Sequence, residues 1–170
     1  MLNEVIKNCL RFLFLVIFQV LVLNHIQLSG YLNPFLYVLF ILMLPFQTPD
    51  WFVLVLAFVL GLSVDIFSDT GGLHAAASVL MAFLRKPVLK LISPRDGYDA
   101  VQQPTIQQFG FGWFLSYTGT LVFAHHCVLF FLETFGFSEF FSTFFRAILS
   151  TFFTLMLIFI SQFFYSNPKK

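Results

Sequence analysis

Six apolar runs follow one another along this chain, at about residues 8–28, 31–47, 50–68, 72–92, 112–132 and 142–165. A helix needs about 20 residues to cross roughly 30 Å of hydrocarbon, with about 17–25 tolerated. Every run falls in that window. Of the 170 residues, 59% are hydrophobic and 10% charged, against about 45–50% and about 25% in soluble domains. A water-soluble fold of this size has no interior large enough to hide so much apolar surface. The expected class is therefore an all-α integral membrane protein, with six transmembrane helices in one polytopic domain covering residues 1–170. A net charge of +1 gives no footprint for nucleic acid.

The breaks between runs have their own chemistry. Ser29-Gly30 ends the first run, and Gln47-Thr48-Pro49-Asp50 reads as a tight turn with Asp50 placed to cap a helix from Trp51. Asp69-Thr70-Gly71-Gly72 is a Gly-rich turn. Lys7 and Arg11 precede the apolar stretch Phe12 to Leu23, but His25-Ile26-Gln27-Leu28 is poor cleavage-site material, so the first run is expected to stay as an uncleaved helix. The fourth run is the weakest. Arg85, Lys86 and Pro87 interrupt it, so a short helix followed by an amphipathic surface helix is the alternative there.

Charge counting arbitrates, because short cytoplasmic loops carry the Lys and Arg excess. With six spans and a cytoplasmic N-terminus, Lys7, Arg11, Arg85, Lys86, Lys90, Arg95, Lys169 and Lys170 fall inside and only Arg146 outside, 8 against 1. If the fourth run does not cross, a cytoplasmic N-terminus gives 3 inside against 6 outside, and an external one gives 6 against 3. Six spans, with both termini cytoplasmic, are expected. Cys9 then lies near the inner face and Cys127 in the outer half of the fifth span, too far apart for a disulfide. The longest loop, about 93–111, is cytoplasmic and polar, and Pro94-Arg95-Asp96-Gly97 reads as a β-turn.

Helices associate in lipid by close packing, so small residues every fourth position mark contact faces. The fifth span has Gly112, Ser116, Thr120 and Ala124 at that spacing. The sixth has Thr143, Ala147 and Thr151, with Ser150 and Thr154 beside them, and the fourth opens Ala75-Ala76-Ala77-Ser78. In the third span Ala57 and Gly61 lead to Asp65. A carboxylate in a membrane helix is costly, so Asp65 is expected to face the bundle interior. Asn24, His25, Asp69, His74, His125, His126, Glu133 and Arg146 fall in the same outer layer. Arg146 needs an acceptor, for which Asp65 and Glu133 are the candidates, and His126 shares a helix face with Glu133 two turns on. Such a layer reads either as an outward-facing contact site or as a structural ion pair with helix-end residues reaching the interface.

Recognisable catalytic motifs are missing: no zinc-protease helix, no Gly-rich phosphate loop, no nucleophile elbow. His125 and His126 point about 100° apart on a helix, whereas two ligands to one ion prefer spacings of three or four. No metal, cofactor or enzymatic activity is expected.

The stretch from Gly61-Leu62-Ser63-Val64-Asp65 through Gly71-Gly72-Leu73-His74-Ala75 resembles the signature of the rod shape-determining protein MreD family, with a Gly and an Asp four apart closing the third span. Phe83-Leu84-Arg85-Lys86-Pro87, Ser93-Pro94-Arg95-Asp96-Gly97-Tyr98-Asp99 and His125-His126 followed by Phe130-Phe131-Leu132-Glu133 resemble its Bacteroidetes branch. The resemblance implies a non-catalytic inner-membrane scaffold of the peptidoglycan elongation machinery, working with MreC, an MreB filament, a RodA glycosyltransferase and a class B penicillin-binding transpeptidase. The outer polar layer would suit MreC, and the basic stretch Arg85 to Arg95 with the 93–111 loop would face the filament. Lys86 and Lys90 serve equally well to hold anionic lipid and fix topology.

A second class has the same helix count: the substrate-binding subunit of an energy-coupling vitamin transporter, also a small six-helix protein with an outward pocket. That family docks its transport partner through Ala-rich faces on the first helix. Residues 1–29 here contain no Ala and no Gly, which counts against it. An intramembrane hydrolase is a third class, and would lose activity on changing Asp65 or His126.

Overall fold

A computed structural model describes residues 2–26, 33–95, 97–99, 102–135 and 139–164. The Ser29-Gly30 break, Asp96 of the loop turn, and Lys169 and Lys170 of the charge count lie outside the described residues. Among the described residues every regular element is helical: α1 (Leu2–Leu21), α2 (Leu39–Leu42), α3 (Asp50–Ser68), α4 (Leu73–Leu91), α5 (Ile106–Phe109), α6 (Phe111–Thr134) and α7 (Phe140–Phe164). Four stretches are long and apolar enough to cross a membrane: Val5–His25, Asp50–Ser68, Phe111–Thr134 and Phe140–Phe164. Their outward faces carry Phe14, Phe58, Phe145 and Phe152, each at least half exposed on the isolated chain. The protein is an all-helical, multi-pass membrane bundle.

The fourth run, doubtful from its charges, forms the single 19-residue helix α4 with Pro87 inside it. The second run departs furthest from expectation. In place of a helix over 31–47, a tight 3-10 turn at Leu36–Val38 leads into the four residues of α2. That stretch rises only about 10 Å, too little to cross hydrocarbon by itself. The two prolines explain it. Pro34 and Pro45 each lack an N–H and bias the residue before them away from helix, so regular structure fits only between them.

This broken segment is nonetheless the most deeply buried part of the chain. Phe35 through Leu44 are all buried, and Tyr37, Val38, Ile41 and Leu42 are fully so. Irregular backbone is tolerated at membrane depth only inside protein, with each polar group satisfied. Side chains of the surrounding helices do this. Gln19 of α1 donates to Pro34 O (3.1 Å) and accepts from Tyr37 N (3.4 Å). Ser150 and Thr154 of α7 accept from Asn33 N (3.3 Å) and Phe35 N (3.0 Å). At the other end Tyr117 of α6 donates to Leu42 O (3.1 Å), and Arg85 of α4 to Leu44 O (2.5 Å) and Pro45 O (3.3 Å).

Contacts define the two ends of the bundle. One is joined by Asn24 to Ser68 (2.8 Å), Asn33 to Ser150, and Arg146 to Glu133. The other is joined by the Lys86–Asp50 ion pair, Phe46 N to Gln102 O (3.3 Å), and Tyr98 to Leu89 O (2.9 Å). Residues 33–47 run from the first end to the second. Helix α3 returns and reverses at Asp69, whose φ of 54° caps it in the left-handed region, followed by Gly71 and Gly72 at φ 59° and 98°.

The helix faces expected from small residues divide. Ala57 and Gly61 of α3, and Thr143, Ala147, Ser150, Thr151 and Thr154 of α7, are buried as the spacing predicts. On α4, Ala75, Ala77 and Ser78 are buried and Ala76 is exposed. On α6 the small residues do not pack within the chain. Gly112, Ser116 and Thr120 are exposed and Ala124 only half-buried, whereas Phe114, Tyr117, Leu121, His125 and Phe130 face inward. Residues two apart on a helix lie about 200° round from one another. The side that buries Phe114, Thr118, Val122 and His126, together with Tyr117 and His125, therefore turns the small residues out. Ser116 satisfies its hydroxyl on Gly112 O of its own helix (2.9 Å), so that side meets lipid without a stranded donor.

Candidate functional site

The α3–α4 junction is the best-built part of the end that carries Asn24, Ser68 and Arg146. A Cβ placed on Gly61 would sit 2.5 Å from Ala75 Cα and from the His74 carbonyl oxygen, so only glycine allows the two helices to meet there. One turn on, Asp65 is 4% exposed. Its Oδ1 accepts from His74 N (3.0 Å) and Thr70 Oγ1 (2.5 Å), and its Oδ2 from Ala75 N (2.8 Å). The two amides belong to the first turn of α4 and have no helical acceptor, while the Thr70 hydroxyl comes from the turn before it. A carboxylate there satisfies them and complements the helix dipole. Asp65 thus faces inward as expected, but its partners are backbone amides and not Arg146. Arg146 pairs with Glu133, the other candidate, at 3.0 Å, and its guanidinium lies 4.2 Å from the centre of the Phe130 ring.

Beside this junction a cavity of about 350 Å³ opens at the same end, lined on its polar side by Asn24, His25, Ser68, Thr70, His74 and Glu133, with Pro34 and Phe35 of the broken segment. Four members of the expected outer layer meet there: Asn24, His25, His74 and Glu133. Asp69 is exposed at the turn and does not line it, nor does Arg146. His125 and His126 are fully buried beneath it.

Below His74 a hydrogen-bonded core begins. Tyr37 Oη sits 2.9 Å from His74 Nδ1 and 2.7 Å from His125 Nε2. A phenol has one proton, so Tyr37 donates to one imidazole and accepts an N–H from the other. His126 donates from Nδ1 to Val122 O (2.8 Å), which leaves Nε2 to accept from Thr154 Oγ1 (3.2 Å). His74 and His125 pack edge to face against Phe35, and His126 lies tilted against it. Position by position, His74 floors the cavity and the two adjacent histidines hold up the broken segment.

At the opposite end, Arg85 is buried where the sequence places it on an exposed basic face; the carbonyls of the interrupted second run draw it in. Lys86, Lys90, Arg95 and Gly97 are exposed as expected, Gly97 with φ 75° at the loop turn. Phe46, Tyr98, Phe109 and Trp113 stack together, tying that loop to the bundle. Cys9 and Cys127 are both free thiols. Among the described residues no three of His, Cys, Asp and Glu converge as metal ligands.

Sequence reasoning passes over Gln19, Tyr37 and Tyr117, and takes Arg85 for part of the basic face at the end of the fourth run. The signal is present in the chain: a Gln inside the apolar run Phe12 to Leu23, and two prolines bracketing another. Chemically the cavity beside the α3–α4 junction offers amides, hydroxyls and imidazole, with its one carboxylate already engaged by Arg146. That lining suits polar, uncharged or zwitterionic groups, presented by a small molecule or by a partner. No family model, no curated protein and no solved structure matches this chain.

Proposed function

We propose that this protein is a non-catalytic scaffold of the cell-wall elongation machinery, of the MreD type, crossing the inner membrane six times with both termini in the cytoplasm. The α3–α4 junction carries the reading. The residues behind the resemblance, Gly61, Asp65, Thr70, His74 and Ala75, are joined by contact and hydrogen bond into one unit beside the outer cavity. A motif kept for packing and capping, with no reacting group exposed on it, suits a protein that positions others. Charge supports the orientation: Lys7, Arg11, Arg85, Lys86, Lys90 and Arg95 gather at the end away from Arg146.

In this reading the cavity rim at Asn24 and Glu133 receives an MreC-like partner, and the open face of α6 at Gly112, Ser116 and Thr120 admits its membrane helix closely. The basic end meets the MreB-like filament, with a RodA-like glycosyltransferase and a class B transpeptidase in the same assembly. Co-purification tests it. An MreC-like protein co-expressed with this chain should be retained, and Ser116→Leu with Thr120→Leu should release it while leaving the melting temperature of the purified chain unchanged. Depletion in a rod-shaped host should round the cells. Unchanged cell shape and no retained partner would refute the scaffold reading.

One observation favours the vitamin-transporter subunit as a second reading. Interrupted membrane segments line substrate sites in many transporters, and here Asn33, Pro34 and Phe35 line the outer cavity. A small molecule co-purifying with the protein, and lost on His74→Leu, would select it.

A further inference from the structure

Arg85 is the most deeply buried cation among the described residues, at 4% exposed. It has no carboxylate partner there: Nε donates to Tyr117 Oη (3.0 Å) and Nη2 to the carbonyls of Leu44 and Pro45, all uncharged oxygens. A buried charge without a counter-charge is costly. Among the described residues no hydrogen bond uses its Nη1 group. The residue lines a cleft of about 300 Å³ between the Phe46–Asp50 turn and α4, with Ala82, Lys86 and Leu89 on its own wall. Lys86 stands at the rim, three-quarters exposed and paired with Asp50. One carboxylate against two cations leaves the cleft positive by one.

Next to it lies a second cavity of different character. A groove of about 530 Å³ between α1 and α3, lined by Cys9, Phe12, Phe40, Phe52 and Leu56, is almost wholly apolar. Thr48 lines both. A cationic cleft adjoining an apolar groove, at one end of a bundle of apolar helices, matches a molecule with an oxyanion at one end and a hydrocarbon chain at the other. Trp51 beside them, 66% exposed, is the residue type that settles at the headgroup level.

We infer that the Arg85 cleft is an oxyanion site for the phosphate of an anionic phospholipid, with Arg85 Nη1 as the inner donor, Lys86 at the rim, and an acyl chain along the Phe12–Phe52 groove. The site supplies the counter-charge that Arg85 lacks and couples headgroup binding to the Leu44–Pro45 end of the broken segment. It needs only that the bundle sits in a bilayer, so it stands apart from the scaffold reading.

Native mass spectrometry of the full chain in detergent tests it, with phosphatidylglycerol and phosphatidylcholine of matched chains as probes. Phosphatidylglycerol should be retained about tenfold over phosphatidylcholine. Lys86→Gln should cut that preference about fivefold and Asp50→Asn should raise it, in opposite directions on an unchanged fold. Arg85→Gln should abolish it; should that variant not fold, the Lys86 and Asp50 pair decides alone. Equal retention of both lipids, or a preference that neither Lys86 nor Asp50 moves, overturns the site. Inorganic phosphate that competes with phosphatidylglycerol at millimolar concentration would keep the oxyanion chemistry and overturn the lipid source. Loss of lipid preference in favour of an added acidic peptide would overturn both.

Discussion

Two carboxylates at the same end of the bundle, Asp65 and Glu133, have opposite solutions to the same problem of charge in a membrane bundle. Asp65 is surrounded by donors from one helix start, and Asp65→Asn should turn an amide N–H₂ toward the Ala75 or His74 N–H. Losing one acceptor and the charge at the α4 N-terminus should cost about 1–3 kcal/mol, read as a fall in melting temperature in detergent; an unshifted midpoint would remove the capping role. Glu133 instead answers Arg146 from a half-exposed position. Arg146→Glu should lower stability or partner retention, and Glu133→Arg on that background should restore part of it. Asp65→Arg should not. If the 65 and 133 reversals rescue equally, the pairing described above is wrong.

At the scale of elements, the bundle is organised around a segment that is hardly an element at all. Thr154→Val should leave the Phe35 amide without an acceptor and cost about 1–3 kcal/mol, although the substitution preserves shape and removes only one oxygen. Thr151→Val, one turn earlier on the same helix, should cost less, because its hydroxyl has no hydrogen-bond partner to lose. Equal losses at both positions would show that α7 does not carry the Phe35 end. This is also where sequence and structure part. The four long helices were legible from apolar length, and the buried faces of α3 and α7 from small-residue spacing. The α6 face was not. A rule that seeks small residues cannot weigh Tyr117 and His125, whose hydrogen bonds decide which side turns inward. The second run misled for a related reason: hydropathy sees Leu36 to Leu44 as span, and only Pro34 and Pro45 mark the backbone that must be satisfied from elsewhere. Within the candidate site, Gly61 and Asp65 were legible as inward-facing, but a capping partner nine residues on was not.

At the scale of the whole molecule, the ends differ in charge and in how they are tied. The basic end carries an aromatic cluster of Phe46, Tyr98, Phe109 and Trp113 that pins its loop, and the other carries the open cavity. The proposed orientation follows from that polarity. Single cysteines at Lys90 and Arg95, in a chain with Cys9 and Cys127 replaced by Ser, should react with a membrane-impermeant maleimide only after the membrane is permeabilised. A cysteine at Thr134 should react in intact cells. Labelling of positions 90 and 134 from the same side would break both the orientation and the partner assignments that depend on it.

The interrupted second run has a consequence for biogenesis. A continuous helix can enter lipid as soon as it is made, because its backbone is self-sufficient. Residues 33–47 cannot, since their amides and carbonyls wait on Arg85, Tyr117, Ser150 and Thr154, made up to about 120 residues later. Until α7 emerges, this stretch has to remain near water or borrow partners from the insertion machinery. Helix α7, made after the other described helices, is thus the one that lets the second segment settle.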